Sequence, residues 1–253
     1  MSRNFDVLLR AEKEAGLFQV EECTRPLPPT SATHKAFTVK RPHVRIDPGV
    51  HEAEMKLVQR VFLISGPGAP HVVVFCGAEP RSGTTGICAR AGENLASQIR
   101  QPVCLVDGNL RSPSLHRYFG VENIPGLTDS VSDTAPIGDF LRPIGENLRL
   151  LSAGSSDKKA QALWTSERVR ARLTELRREF SFVLIDTPPA NLYSDGVFFG
   201  QAADGVLLVV NSNTTHRDTA RKARETLTAN VKLLGAVMNN RTFPVPGFLY
   251  KRL

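Results

Sequence analysis

Apolar runs alternate with longer amphipathic stretches along most of the chain. The runs lie at residues 71–76, 102–107, 148–152, 182–186, 205–210 and 233–238. Helical periodicity recurs between several of them, notably over 84–99, 160–179 and 214–230. Short continuous apolar segments separated by helices are typical of buried parallel strands. The pattern therefore predicts an α/β fold, in which a mostly parallel sheet has helices on both faces.

The residues outside this alternating region divide the chain into three parts. Residues 4–15 have the spacing of a short amphipathic helix, which Gly16 would end. Residues 21–49 contain five prolines and no sustained periodicity, so we predict that segment 1–49 is this helix followed by a flexible linker. A helix over about 50–63 begins the main domain, 50–240, and an apolar, basic tail follows over 241–253.

Composition and charge indicate a soluble protein of the cytoplasm. No apolar run approaches the ~20 residues that span a bilayer, and the N-terminus lacks the apolar core of a signal peptide. The four cysteines, Cys23, Cys76, Cys88 and Cys104, form no CxxC pair, which favours free thiols, buried where they fall in strands or helices. The net charge is +7, but the arginines of the predicted helix 160–179 alternate with glutamates. We interpret that helix as a solvated face, and no motif indicates a nucleic-acid partner.

A loop that resembles a phosphate-binding loop follows the first predicted strand. Glycine-rich turns between a strand and a helix bind phosphate through backbone N–H groups and the helix N-terminus. Gly83 and Thr85 match the glycine and the threonine of that motif, but Thr84 stands where the motif has lysine. The predicted phosphate-binding residues are Ala78, Glu79, Pro80, Arg81, Ser82, Gly83, Thr84, Thr85 and Gly86.

Two further strands end in aspartate. Asp107 follows the strand after the loop helix, and Asp186 ends the run 182–186. In open parallel sheets, ligands bind beyond the carboxyl ends of the strands, so both carboxylates should lie near the loop. A carboxylate at such a strand end holds Mg²⁺ in phosphate-loop proteins. The alternative for Asp186 is an aspartate that only caps its own loop.

Three motifs in order resemble those of the bacterial tyrosine kinase (BY-kinase) family of the CpsD/CapB type. Residues 78–85 read Ala-Glu-Pro-Arg-Ser-Gly-Thr-Thr, residues 107–116 read Asp-Gly-Asn-Leu-Arg-Ser-Pro-Ser-Leu-His, and residues 185–189 read Ile-Asp-Thr-Pro-Pro. The resemblance extends over about 50–240. It places the chain among the MinD/ParA-like phosphate-loop ATPases and implies their P-loop NTPase-like fold.

The resemblance also implies a site and partners. ATP or ADP would bind the loop with Asn239 near the adenine, and Mg²⁺ would bind at Thr85, Asp107 and Asp186, the two aspartates being the catalytic residues of an active kinase. A membrane polysaccharide co-polymerase, or chain-length regulator, would be the partner, at the inner face of the membrane. Glu54 and Arg60 match part of a motif for assembly of identical subunits. The alternatives are a helix cap for Thr85, a turn for Asn239 and an ordinary amphipathic helix for Glu54 and Arg60.

Several positions depart from the family pattern. Thr84 replaces the lysine, Asn109 the second aspartate of its motif, and Arg81 a glycine. The tail carries one tyrosine, Tyr250, where the family has a cluster. We therefore expect a pseudokinase that regulates or scaffolds exopolysaccharide (capsule) synthesis and export. The alternatives are an active tyrosine autokinase that uses Arg81 or another cation, and a MinD/ParA-like positioning ATPase.

Overall fold

Seven strands form one sheet in the computed structural model. They are β1 (Val72–Gly77), β2 (Val103–Asp107), β3 (Arg142–Pro143), β4 (Leu148–Leu151), β5 (Phe182–Thr187), β6 (Gly205–Asn211) and β7 (Leu233–Asn239). The strand order is β3-β4-β2-β5-β1-β6-β7. All neighbouring strands are parallel except β3, which runs antiparallel to β4 at one edge. The carboxyl ends of β1, β2 and β5 therefore lie side by side, as the sequence predicted.

The structure describes residues 48–63, 68–155 and 167–240. Its α-helices are α1 (Pro48–Val58), α2 (Thr84–Gln98), α3 (Leu115–Phe119), α4 (Leu127–Ser132), α5 (Glu167–Glu179), α6 (Asp195–Gly200) and α7 (Arg217–Thr228). A π-helical turn, Gln59–Leu63, extends α1, and a 3₁₀ turn covers Ile137–Phe140. The predicted helix 4–15, nearly all of the linker, residues 160–166 and the tail 241–253 lie outside the described residues.

Alternate residues of the strands face two separate cores. Val72, Val74 and Cys76 of β1 face a core that includes residues of α5, α6 and α7. Val73 and Phe75 face the opposite core, to which α1, α2 and α3 contribute. Helices thus cover both faces of a mostly parallel sheet, and the predicted fold class is confirmed.

The strand pattern in the sequence located six of the seven strands to within one residue at each end. It missed β3, because two residues that include a proline give no periodic signal. The short helices α3, α4 and α6 were missed because five or six residues are too few to show a helical period. Within the described ranges, no helix has the length and apolar character needed to cross a bilayer.

Two sequence predictions about side chains have different outcomes. Cys76, Cys88 and Cys104 are buried free thiols, as expected. Arg172, however, does not belong to a solvated face. Its guanidinium is buried and donates to the carbonyls of Ser130 (3.0 Å) and Asp133 (2.8 Å). Arg172 therefore anchors α5 to α4, a role that its helix sequence does not reveal.

Candidate functional site

The loop between β1 and α2 has the backbone of a phosphate cradle. Residues 78–83 form it, and α2 begins at Thr84 with no side chain capping its first turn. Arg81 (φ 64°) and Gly83 (φ 82°) both have left-handed backbone conformations. The first N–H groups of α2 therefore have no partner within the helix and can bind an anion. Arg81 adopts a conformation that costs a non-glycine residue roughly 1–2 kcal/mol.

Side chains of the protein itself hold this loop in shape. The Ser82 hydroxyl donates to the Glu79 carbonyl (2.7 Å), and the Thr215 hydroxyl donates to the Glu79 carboxylate (2.6 Å). The Asn239 amide donates to the Ser82 carbonyl (3.0 Å). A Cβ atom on Gly83 would lie 2.1 Å from that amide nitrogen and would displace it, and the left-handed φ of 82° also favours glycine there. Asn239, predicted beside adenine, thus also fastens the loop to the end of β7.

The position of the missing lysine carries no positive charge. The Thr84 hydroxyl lies against the end of β1, where a Cβ atom on Gly77 would be 2.6 Å from its oxygen. Arg81, the nearest candidate for a replacement cation, is exposed and forms no hydrogen bond or ion pair with the described residues. Neither Thr84 nor Arg81 therefore fixes a positive charge beside the N–H groups that the loop offers to an anion.

The structure brings together the two predicted carboxylates. Asp107 and Asp186 are adjacent in the register of β2 and β5, and both are fully buried. The Thr85 hydroxyl donates to Asp186 (2.6 Å) and lies 3.0 Å from the Ser114 hydroxyl. Asp107 accepts the N–H groups of Asn109, Ser114 and Leu115 at 3.0–3.2 Å. The other carboxylate oxygen of Asp186, Oδ1, is buried and has no partner among the described residues.

Burial raises the pKa of both carboxyl groups. The pKa of Asp107 rises to about 6 because burial outweighs its three N–H donors. Burial, followed by repulsion from Asp107, raises the pKa of Asp186 well above its ordinary value. Since Asp107 has the backbone donors, we assign the first negative charge of the pair to Asp107 and the retained proton to Asp186.

These shifts predict that the ligand-free protein loses stability as pH rises. A carboxyl group with a higher pKa in the folded than in the unfolded state, where it is about 3.9, binds its proton more tightly when folded. Stability should fall through the folded pKa of Asp107, about 6, and fall further as Asp186 ionises. Urea unfolding between pH 5 and about pH 8, without divalent cations, measures the slope.

Asp186→Asn removes one ionisation of the pair and is the comparison for that measurement. The free energy of unfolding of this variant should depend less on pH than that of the wild type. Near pH 8 the variant should be the more stable of the two proteins. An equal slope in both proteins would contradict the assignment of the pH dependence to this pair.

The arrangement suits a hard divalent cation. Mg²⁺ prefers oxygen ligands and usually keeps waters and substrate phosphates beside one or two carboxylates. The unpartnered oxygen of Asp186, Asp107 and the Thr85 hydroxyl supply such oxygens beside the phosphate cradle. No group of three or more His, Cys, Asp or Glu side chains within the described ranges forms a metal site by itself. The residues therefore fit Mg²⁺ that is also held by phosphate.

Ser114 is a site residue that sequence reasoning missed. Its hydroxyl contacts Thr85 and its N–H donates to Asp107, so it links the cradle to the carboxylates. Only its place in the motif that begins at Asp107 could have indicated it. Asn109, by contrast, turns its side chain to accept the N–H of Ser112 (3.1 Å) in a local turn.

The two residues predicted for subunit assembly have different surroundings. Glu54 is buried between α1 and α2, where it pairs with Arg90 of its own chain and accepts from Asn94 at 3.5 Å. Arg60 lies on the exposed π-helical turn that follows α1. Because Glu54 points inward, its side chain is poorly placed to contact a second subunit directly. A subunit contact through Arg60 remains a prediction.

Comparisons with known proteins agree on one family, although no family model matches the chain. The tyrosine-protein kinase YwqD of Bacillus subtilis is 32% identical over 171 residues, which are 67% of this chain and 72% of YwqD. The putative tyrosine-protein kinase EpsB of Ralstonia nicotianae is 29% identical over 174 residues, but these are only 23% of EpsB. The crystal structure of the chimerical protein CapA2B2 superimposes with a TM-score of 0.72, at 26% identity, over 78% of this chain and 87% of that one.

The similarity to YwqD covers more than two thirds of both chains, and the matching fold brings together the motifs in which the resemblance was found. The cradle, the two strand-end aspartates and the threonine that bonds one of them occupy one edge of the sheet. This chain belongs to the bacterial tyrosine kinase family.

Proposed function

We propose that this protein is a pseudokinase of its family, a regulator or scaffold of exopolysaccharide synthesis with little or no phosphotransfer. The observation that carries the proposal is Thr84 in the lysine position, with its hydroxyl packed against the end of β1. Phosphoryl transfer depends on positive charge beside the β- and γ-phosphates, where negative charge develops in the transition state. A threonine supplies none.

The charges around the cradle support weak nucleotide binding. Asp107 and Asp186 are buried beside the loop, and no arginine or lysine among the described residues forms an ion pair with either carboxylate. A nucleotide would add further negative charge, which Mg²⁺ held by Thr85, Asp107 and Asp186 would offset. Bound Mg²⁺ would supply the electrostatic stabilisation of the phosphates. The N–H groups at the start of α2 would orient them.

The partner we infer is a membrane polysaccharide co-polymerase. In EpsB the matched region is 23% of the chain, so this domain can be one part of a much longer protein of the family. We infer that this domain contacts a co-polymerase region, which would place it at the cytoplasmic face of the membrane. Copurification of this chain with a co-polymerase that is encoded nearby would test this inference. Substitutions on the surface of the domain that contacts the co-polymerase should abolish the copurification.

An active autokinase is the second candidate. The observation in its favour is that Thr85, Asp107 and Asp186 keep their family identities and lie together. A MinD/ParA-like positioning role has less support, because the relatives described above are named as tyrosine kinases.

Incubation with labelled ATP and Mg²⁺ distinguishes the two candidates. We expect no phosphotyrosine, on the chain or on an added tyrosine-rich polypeptide, above the level given by Asp186→Asn. That control removes a carboxylate of the proposed magnesium site without removing bulk. A family member with the lysine shows that the assay works. Labelling that depends on Asp186 would overturn the pseudokinase proposal and establish the active kinase.

A further inference from the structure

A groove of about 710 Å³ separates helix α1 from the edge strand β7. Leu57 and Val61 form one wall, and Leu234, Val237 and Met238 form the other. The groove lies at the outer edge of the sheet, because β7 pairs only with β6 among the described strands. None of the residues predicted to bind nucleotide or Mg²⁺ lines it.

Strand β7 is unusually open for its composition. Its residues Leu233–Asn239 are mostly apolar, yet their side chains are half-buried or exposed, and Met238 is 60% exposed. Strands of parallel sheets with this composition are normally covered on both faces. The apolar side of the groove is therefore a surface that gains stability when another segment covers it.

The basic residues of the groove favour an acidic occupant. Lys56, Arg60 and Lys232 line it, and no acidic residue of the described part of the chain does. Lys56 also pairs with Glu52 of α1 (2.5 Å), outside the groove lining. An occupant with both kinds of side chain would bury its apolar side chains against β7. It would place its acidic side chains near the basic rim formed by Lys56, Arg60 and Lys232. Such complementarity steers an occupant and fixes its register.

We propose that residues 5–22 of the same chain dock in this groove. Five acidic residues and two basic residues give this segment a net charge of −3. Its large apolar residues are Phe5, Val7, Leu8, Leu9, Leu17, Phe18 and Val20. The tail 241–253 is also apolar, but Arg241, Lys251 and Arg252 give it the same sign of charge as the rim. Charge complementarity therefore favours the N-terminal segment.

The connection along the chain makes this docking efficient. Residues 23–47 join the segment to Pro48, the first residue of α1, which forms one wall of the groove. A chain of 25 residues spans at most about 80–90 Å when fully extended, so the segment stays at a high effective concentration near the groove. Docking would also cover Arg60, and the segment would thereby compete with a subunit contact made through that residue.

Hydrogen exchange on the full-length protein tests the proposal. Residues 5–22 should exchange at least about tenfold more slowly than the same residues in a Met238→Asp protein. Lys56→Glu with Lys232→Glu should abolish the protection as well. Adding Glu12→Lys, Glu14→Lys, Glu21→Lys and Glu22→Lys to that double variant should restore it. Lys222→Glu with Arg224→Glu, on the exposed face of α7, is the control of equal charge change and should leave it intact.

The remaining outcomes contradict the proposal. Fast exchange of residues 5–22 in the wild type would show that the segment does not dock. Protection of 241–253 in their place would assign the groove to the tail. Protection of 5–22 that disappears on dilution would assign the contact to a second copy of the chain. Protection that survives both the rim variants and Met238→Asp would place the segment elsewhere.

Discussion

Replacing Arg81 by glycine and Thr84 by lysine together is expected to tighten the binding of ADP with Mg²⁺ roughly ten- to a hundredfold. A charge-assisted hydrogen bond contributes about 1.5–3 kcal/mol, and each 1.4 kcal/mol is about a factor of ten in affinity. The lysine would join a helix N-terminus that already has Gly83 and Thr85 in place. Isothermal titration calorimetry measures the change.

Single variants at position 81 separate the effect of the guanidinium charge from the effect of the strained backbone conformation. Arg81→Gly alone should raise the free energy of unfolding by about 1 kcal/mol, because glycine adopts the left-handed φ of 64° without strain. Arg81→Ala is the matched control, since alanine removes the guanidinium and keeps the strained Cβ. If Arg81→Ala weakens ADP binding tenfold, Arg81 is the replacement cation. The site would then have the positive charge that we propose it lacks.

Tighter binding in the double variant should not bring vigorous phosphotransfer. Asn109 would still lack a carboxylate, and its side chain is committed to a turn with Ser112. The tail would still offer Tyr250 as its single tyrosine. A double variant that phosphorylates itself rapidly would show that neither feature limits the chemistry. Failure of the double variant to bind ADP would show that the cradle has lost its phosphate affinity for reasons other than charge.

Arg90→Met is expected to lower the free energy of unfolding by about 3–5 kcal/mol, the usual cost of leaving a buried charge without its partner. Glu54 is 6% exposed and pairs with Arg90 in the interface between α1 and α2. Methionine retains most of the apolar volume of the arginine stem, so lost packing contributes little. Urea unfolding at neutral pH measures the difference.

Glu54→Gln combined with Arg90→Met is the matched control, because it removes both charges and keeps the shape of the glutamate. The double variant should recover most of the lost stability. A cost below about 1 kcal/mol for Arg90→Met would contradict the prediction, since surface ion pairs have that value. It would mean that Glu54 can turn outward, and would revive its predicted role in subunit assembly.

The hydrophobic pattern of this chain determined its sheet. Six apolar runs became six strands, and five of these strands are buried on both faces, which requires a continuous apolar sequence. The sixth, β7, is apolar although it is only partly covered. The site was also largely predictable. Thr85, Asp107 and Asp186 come together because carboxyl ends of neighbouring parallel strands meet at one edge of a sheet.

Contacts between distant residues were decided only by the tertiary structure. Arg172 and Glu54 look like surface residues of amphipathic helices, yet each is buried against a partner on another helix. Such partners are set by how the helices pack, which local periodicity does not encode. The hydrogen bond by which Asn239 holds the phosphate loop joins residues 157 positions apart, and no sequence pattern indicated it.

The sequence by itself determined the family, the fold class and the absence of a lysine at position 84, because each depends on residue identity in order along the chain. Tertiary structure decided what replaces that lysine. Thr84 packs against β1, Arg81 is exposed, and the oxygen Oδ1 of Asp186 has no partner among the described residues. The direction of a side chain depends on the backbone around it and on its neighbours in space, so only the folded chain could fix it.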